Sequence, residues 1–217
     1  MQWALLDSVP EEDVRRLLVI ARRRTFGRGE VVFHEDDPAD TLHLISKGRF
    51  AVRIQTRLGD TAILSVLGSG QCFGEIALID GEHARRSATI AALEPAETQS
   101  VHRVDFERLC REHPGVREVL VAILAAQVRR LSAHLLDALY VPADRRVLKR
   151  LAEIAALYAR DGVPETEVPL TQEDLADLAG TSRATVNRVL RAEQERGTVR
   201  LRRGRTVVLD RERLSRA

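Results

Sequence analysis

Residues 170–209 read LTQEDLADLAGTSRATVNRVLRAEQERGTVRLRRGRTVVL, and this stretch decides the fold. Thr171 and Asp174 form a capping-box pattern, with Asp in place of Glu, that opens a helix through Leu175 and Leu178. Ala176 is small where two helices must touch, and Gly180, four residues on, supplies the positive φ of a tight turn. Thr181 or Ser182 can cap a second helix whose Val186, Val189 and Leu190 face inward. The spacing is that of a helix-turn-helix; an ordinary helical hairpin with a solvated basic face is the plainer alternative. The inward set leaves Ser182, Arg183, Ala184, Asn187, Arg188 and Arg191 outward. Beyond Gly197, two short β-type runs at 198–201 and 206–209 flank Arg202, Arg203, Gly204 and Arg205, which gives a hairpin with a cationic tip. Such a tip can lie along a phosphate backbone, where contact gives affinity but no sequence information.

Charge points the same way. From residue 183 to the end, eleven arginines stand against four acidic residues, a balance of +7, which leaves −5 for the other 182 residues. A basic end on a mildly acidic chain is the footprint of a module that docks on phosphates. The 217 residues, 44% hydrophobic and 30% charged, allow one large domain or two smaller ones and exclude a disordered acidic tail. No unbroken apolar run approaches the roughly 18 residues that span a bilayer, so no membrane partner is expected. Asp7, Glu11, Glu12 and Asp13 interrupt the N-terminal apolar residues. No secretory signal is read there, and the expected compartment is the cytoplasm. Cys72 and Cys110 are too few for a disulfide framework, a four-cysteine zinc site or a four-cysteine iron–sulfur cluster.

Upstream, three textures follow one another. Residues 10–24 carry Val14, Leu17, Leu18 and Ala21 at helical spacing and end in a basic run before Gly27, which predicts one amphipathic helix. From 25 to 104, β-type runs at 31–34, 42–46, 50–55, 62–67, 87–92 and 99–104 are separated by turn residues, among them Gly48, Gly59, Gly68, Gly70, Gly74 and Gly81. Short strands so regularly interrupted predict a double-sheet roll of the jelly-roll kind. After Pro114 a helix of about 26 residues, roughly 40 Å, runs to Val141. Val121, Leu124, Val128, Leu131, Leu135 and Ala138 form a heptad seam along it, suited to a second copy of the chain or to packing on its own domain. Pro142 disfavours helix at the preceding residue, so 141–143 is the expected hinge. The fold class is therefore α+β. Its expected parts are a β-roll domain at 1–112, a dimerisation helix at 113–141 and a winged helix-turn-helix at 142–217.

Nearly the whole chain resembles the CRP/FNR family of bacterial transcription regulators. Two segments carry the resemblance: Phe73-Gly74-Glu75-Ile76-Ala77-Leu78 with Arg86-Ser87-Ala88-Thr89, similar to the family's cyclic-nucleotide cassette, and Thr181 to Arg188, similar to its recognition helix. The resemblance implies a homodimer that binds palindromic double-stranded DNA and works with RNA polymerase. Its DNA-facing residues would be Thr171, Ser182, Arg183, Ala184, Thr185, Asn187 and Arg188, with Arg202, Arg203 and Arg205 on the wing. The half-site would be related to TGTGA but relaxed, because Ala184 stands where the best-known relatives place a Glu that accepts from cytosine. In the cassette, Arg86 can meet a cyclic phosphate with a forked guanidinium, Ser87 and N–H groups near Gly74 add donors, and Glu75 can accept from a ribose hydroxyl, with Ile76 counted among the ligand-binding residues.

The resemblance also implies Ser132 from the long helix as an adenine contact, although Leu131 replaces the second hydroxyl that cyclic-AMP binders carry. The loop between Glu75 and Arg86 is one residue longer than in the best-known cyclic-AMP binder. No cofactor is required; cyclic AMP, another ligand or no effector at all are the open readings. Iron–sulfur sensing finds no cysteine before residue 72. Haem ligation through His34, His43 or His102 is the less favoured reading of those residues. A cupin-like metal enzyme, the rival of a different class, wants a His-x-His arrangement that His34, Glu35 and His43 lack.

Overall fold

A computed structural model describes residues 3–57, 59–79, 83–160 and 162–216. The chain divides into two compact units, one comprising residues up to 54 and 65–130, the other 55–64 and 131–217. Gly81, one of the turn glycines, and the rest of 80–82 lie outside the described residues.

Along the chain, α1 (Glu11–Ile20) is followed by strands β1 (Arg22–Phe26), β2 (Val31–Phe33), β3 (Thr41–Lys47), β4 (Phe50–Gln55), β5 (Thr61–Leu67) and β6 (Cys72–Phe73). The short helix α2 (Ile76–Ile79) precedes β7 (Thr89–Ala92) and β8 (Ala96–His102), and α3 (Arg103–Glu112) leads into α4 (Gly115–Tyr140). The strands form two four-stranded sheets, ordered β1-β8-β3-β6 and β2-β7-β4-β5. Phe26, Ile45, Phe50, Phe73 and Ile90 pack together in one core cluster. Leu42, Leu44 and Val101 join Trp3, Leu17, Phe106, Leu109, Val116 and Leu120 of the helical segments in another. Strand β3 thus feeds a core on each face, which is why its run Leu42–Ser46 is buried throughout and does not alternate.

Two local expectations are corrected. The helix expected over 10–24 stops at Ile20, because Arg22 to Phe26 form an edge strand antiparallel to β8, with Arg22 opposite Ser100 and Phe26 opposite Ala96. Arg23 donates to Glu97 across that pairing, and a charged edge of this kind resists adding further strands. The run expected as strand over 99–104 ends at His102, whose ring Nδ1 accepts from the Val104 N–H and caps α3.

Helix α4 follows the expected bounds to within a residue or two. Val121, Val128, Leu131 and Leu135 of the heptad seam are exposed, while Leu124 packs partly against the roll's helical core. By length and average hydropathy α4 could cross a bilayer. Arg129 and Arg130 interrupt its middle, however, and a charged side chain at a bilayer centre costs about 2.5–3.5 kcal/mol on insertion scales.

In the second unit, α5 (Ala143–Tyr158) packs against α6 (Gln172–Ala179), α7 (Arg183–Glu195), α8 (Arg211–Arg216) and β9 (Thr166–Val168). The hairpin β10 (Val199–Arg202) and β11 (Arg205–Val208) takes β9 as a third strand, in the order β10-β11-β9. Neither α5 nor β9 is marked by the sequence patterns above. Val147, Leu151 and Ile154 of α5 are buried, as are Leu175, Val186 and Leu190. Asp137 near the end of α4 accepts from Lys149 and Arg150 of α5 at 2.8 and 2.9 Å. Burial opposes the Asp137 charge, but the two cations together outweigh it and hold its pKa below the ordinary carboxylate value.

Candidate ligand pocket and nucleic-acid interface

The cassette residues of the roll converge. Arg86 is 4% exposed, its guanidinium carbon 4.0 Å from the centre of the Phe33 ring. Its Nη1 donates to the Thr41 carbonyl and its Nη2 to Thr41 Oγ1, both at 2.8 Å, while Nε is buried with no partner among the described residues. Burial lowers the Arg86 pKa, an effect that Asp40 and Asp37 only partly offset, so the charge here is under-compensated. Gly74 has φ +86°, and a Cβ there would lie 2.6 Å from Arg86 Nη1. Glycine is needed at this position on both counts. Glu75 is buried and accepts from Gln127 Nε2 of α4 at 3.1 Å. Ile76 and Ser87 are exposed; Ser132 lies five residues beyond Gln127 on α4, also exposed.

Two positioning residues were missed from the sequence. Gln127 is an ordinary polar residue on a long helix, and no local signal marks it. Arg103 is buried and donates from Nη2 to the carbonyls of Ala39 and Ala77, at 2.9 and 2.8 Å, tying α2 to the loop before β3. His43 is buried, with its ring stacked on Phe73 at 4.9 Å and its Nδ1 3.1 Å from Thr98 Oγ1. Burial first, then the charges of Arg86 and Arg24, lower its pKa to about 3, so it is a neutral core residue. Among the described residues no group of three or more His, Cys, Asp or Glu side chains could hold a metal ion. Cys72 and Cys110 are both buried free thiols, their pKa values raised by burial.

In the second unit the helix-turn-helix forms as its caps require. The Thr171 hydroxyl accepts from the Asp174 N–H at 3.0 Å while Asp174 accepts from the Thr171 N–H, completing the capping box. Gly180 takes φ +58° at the end of α6, and Ser182 caps α7 by accepting from the Thr185 N–H. Thr171 and Thr185 therefore spend their hydroxyls locally, on Asp174 and Ser182. Arg183 and Ala184 are exposed on the first turn of α7. Asn187 donates to Gln172 Oε1 at 3.1 Å, and Arg188 is paired with Asp144. A cleft of about 460 Å³ opens between the start of α6, Arg183 and Asn187 of α7, and the wing residues Arg202, Arg203 and Arg205. On the wing Arg205 pairs with Glu167 of β9 at 2.6 Å, whereas Arg202 and Arg203 are exposed. The sequence reading missed Gln172, Asp144 and Glu167 because each meets its arginine or asparagine only through tertiary packing.

Comparison with known proteins adds a second line of evidence. Residues 23–113 match the cyclic nucleotide-binding domain family and residues 145–217 the Crp-like helix-turn-helix domain family. The chain is 35% identical over 201 residues to the cyclic AMP receptor protein of Thermus thermophilus, covering 91% of this chain and 88% of that protein. It is 31% identical over 193 residues to the CRP-like cAMP-activated global transcriptional regulator of Mycobacterium tuberculosis, covering 88% and 85%. Its fold is similar to that of the c-di-GMP-responsive global regulator CLP of Xanthomonas campestris, with a TM-score of 0.79, 22% identity, and coverage of 93% of this chain and 99% of that one.

Proposed function

The chain belongs to the CRP/FNR family of transcription regulators, which are not enzymes, and we propose that it is a homodimeric, sequence-specific regulator whose DNA binding is controlled by cyclic AMP in the β-roll. The observation that carries the effector reading is the buried, under-compensated guanidinium of Arg86, with one donor unpartnered among the described residues, beside Gly74 and Glu75. A cyclic phosphate supplies the missing negative charge. Gly74, Glu75, Ile76, Arg86 and Ser87 hold the ligand. Two relatives above 30% identity are named for cyclic AMP, which makes it the first nucleotide to test.

The domains follow the division 1–112, 113–141 and 142–217, with α4 as the dimer helix and 141–143 as the hinge. The recognition helix presents Ser182, Arg183, Ala184, Thr185, Asn187 and Arg188, and Thr171 anchors the helix before it. Arg202, Arg203 and Arg205 serve the backbone. The protein acts in the cytoplasm on double-stranded palindromic sites, together with RNA polymerase.

Fluorescence anisotropy of a selected duplex, with and without cyclic AMP, tests this reading. Wild type is expected to bind more tightly with the nucleotide, and Arg86→Ala to show no such response. A second reading, a regulator needing no effector, draws on the bonds that Arg86 already gives Thr41 and Glu75 already receives from Gln127. Equal, tight wild-type binding in both conditions overturns the cyclic-AMP reading and favours that alternative.

A further inference from the structure

The two arginines that α7 offers for base reading are held differently. Among the described residues Arg183 has no ion pair. Arg188 instead donates from both terminal nitrogens to one carboxylate, Nη1 to Asp144 Oδ2 at 2.8 Å and Nη2 to Oδ1 at 2.6 Å. Asp144 is the second residue of α5 and lies outside the helix-turn-helix itself. The hydrogen bond from Arg188, against some burial, keeps the Asp144 pKa below the ordinary carboxylate value, so the pair is fully charged wherever DNA binding is measured. Both side chains are about half exposed or more, and exposed ion pairs add little to stability. The pair therefore matters for where it holds a reading arginine.

The place of Asp144 is fixed. Two residues on, Arg146 donates from Nε to the Ala179 carbonyl and from Nη2 to the Gly180 carbonyl, at 2.9 and 2.8 Å, and from Nη1 to the Val141 carbonyl at 2.9 Å. One guanidinium thus locks the start of α5 to the turn between α6 and α7, and the carboxylate cannot follow Arg188 outward. The edge of Arg188 given to Asp144 is also a fork that guanine O6 and N7 can take. One edge cannot serve both.

We propose that Asp144 is a specificity-determining residue of DNA binding: it neutralises Arg188 and holds it off the phosphates, so that the arginine engages DNA only when the docked groove presents a base pair able to replace the carboxylate. This rests on α7 being the recognition helix. Non-specific binding is governed by the cations available to phosphates, and Asp144 subtracts one of them.

The test measures affinity of the full-length protein for a selected duplex and for a random-sequence duplex across a salt series. Wild type, Asp144→Ala, Asp144→Asn, Arg188→Ala and the double variant Asp144→Ala with Arg188→Ala are compared after thermal unfolding shows that all are folded. Asp144→Ala is expected to tighten random-duplex binding roughly 3- to 10-fold and to steepen the salt slope by about 0.9, as one more free cation requires. Asp144→Asn should move in the same direction, and the ratio of selected to random affinity should narrow in both. In the Arg188→Ala background the gain should vanish. A gain that persists there means that Asp144 acts by plain repulsion of DNA, and overturns the proposal; so does no gain in the single variant. All variants are measured with and without cyclic AMP, and wild type that binds no duplex in either condition overturns the recognition-helix reading itself, a result distinct from either.

Discussion

Arg86 lies over the face of Phe33, its guanidinium carbon 4.0 Å from the ring centre, and Phe33 in turn meets Phe73 edge to face at 5.8 Å. The arginine is thus fixed from below by an aromatic platform and from the side by Thr41. Removing its charge should cost cyclic-nucleotide binding about 1.5–3 kcal/mol, roughly 10- to 150-fold, the range for a charged hydrogen bond. Phe33→Leu keeps an apolar side chain but removes the cation–π attraction, and should weaken binding by about 0.5–2 kcal/mol. Calorimetry with cyclic AMP checks both; equal affinity in wild type and Arg86→Ala would move the site elsewhere.

The buried His43 makes the roll acid-sensitive. Its folded pKa is lowered to about 3 against an ordinary value of 6.5, so the unfolded chain binds a proton that the folded chain refuses anywhere between those values. This contribution to stability is complete above pH 6.5 and declines as the pH falls toward 3, by up to about 1.4 kcal/mol per pH unit. Thermal unfolding at pH 5 and pH 7.5 should show the difference, and His43→Leu should flatten it.

The α4 seam supplies the dimer prediction. Val128 and Leu135 are 62% and 60% exposed, whereas Leu124 leans on the roll core, so charge at 124 would confuse dissociation with unfolding. Val128→Asp with Leu135→Asp should give a folded species of 24.3 kDa, while wild type sediments at twice that mass at micromolar concentration. A wild type that sediments as a monomer is incompatible with the proposed architecture.

Arg183 and Ala184 should decide base preference. Selection from random duplexes with Arg183→Ala is expected to lose discrimination at one guanine, worth about 1–3 kcal/mol for a bidentate contact. Ala184→Glu should add a preference for cytosine, since the carboxylate accepts from its amino group. Unchanged preferences in both variants would show that another element reads the bases.

The wing should behave otherwise. Arg202→Ala or Arg203→Ala should weaken all sequences alike and lower the salt slope by about 1 each. Arg205→Ala should do less, because Glu167 already takes part of its charge in the free protein. Salt titrations on matched and random duplexes separate these outcomes.

The sequence by itself determined the parts whose signals are local. The capping box at Thr171 and Asp174, the left-handed Gly180 and the apolar spacing of α7 are all written within about twenty residues, and backbone geometry leaves them few alternatives. Gly74 and Arg86 stand out in the sequence because their segments resemble a phosphate-binding cassette, and the fold brings the two together. Tertiary structure decided what depends on partners far along the chain. Arg22–Phe26 carries the basic texture of a helix end until β8, seventy or more residues away, supplies its hydrogen bonds and makes it a strand. Glu75 acquires Gln127 from 52 positions away, and Arg188 acquires Asp144 from 44. Side-chain charge and apolar spacing specify what a residue can do, but which acceptor reaches an arginine first is set by the packing of whole elements, and only the fold settles that.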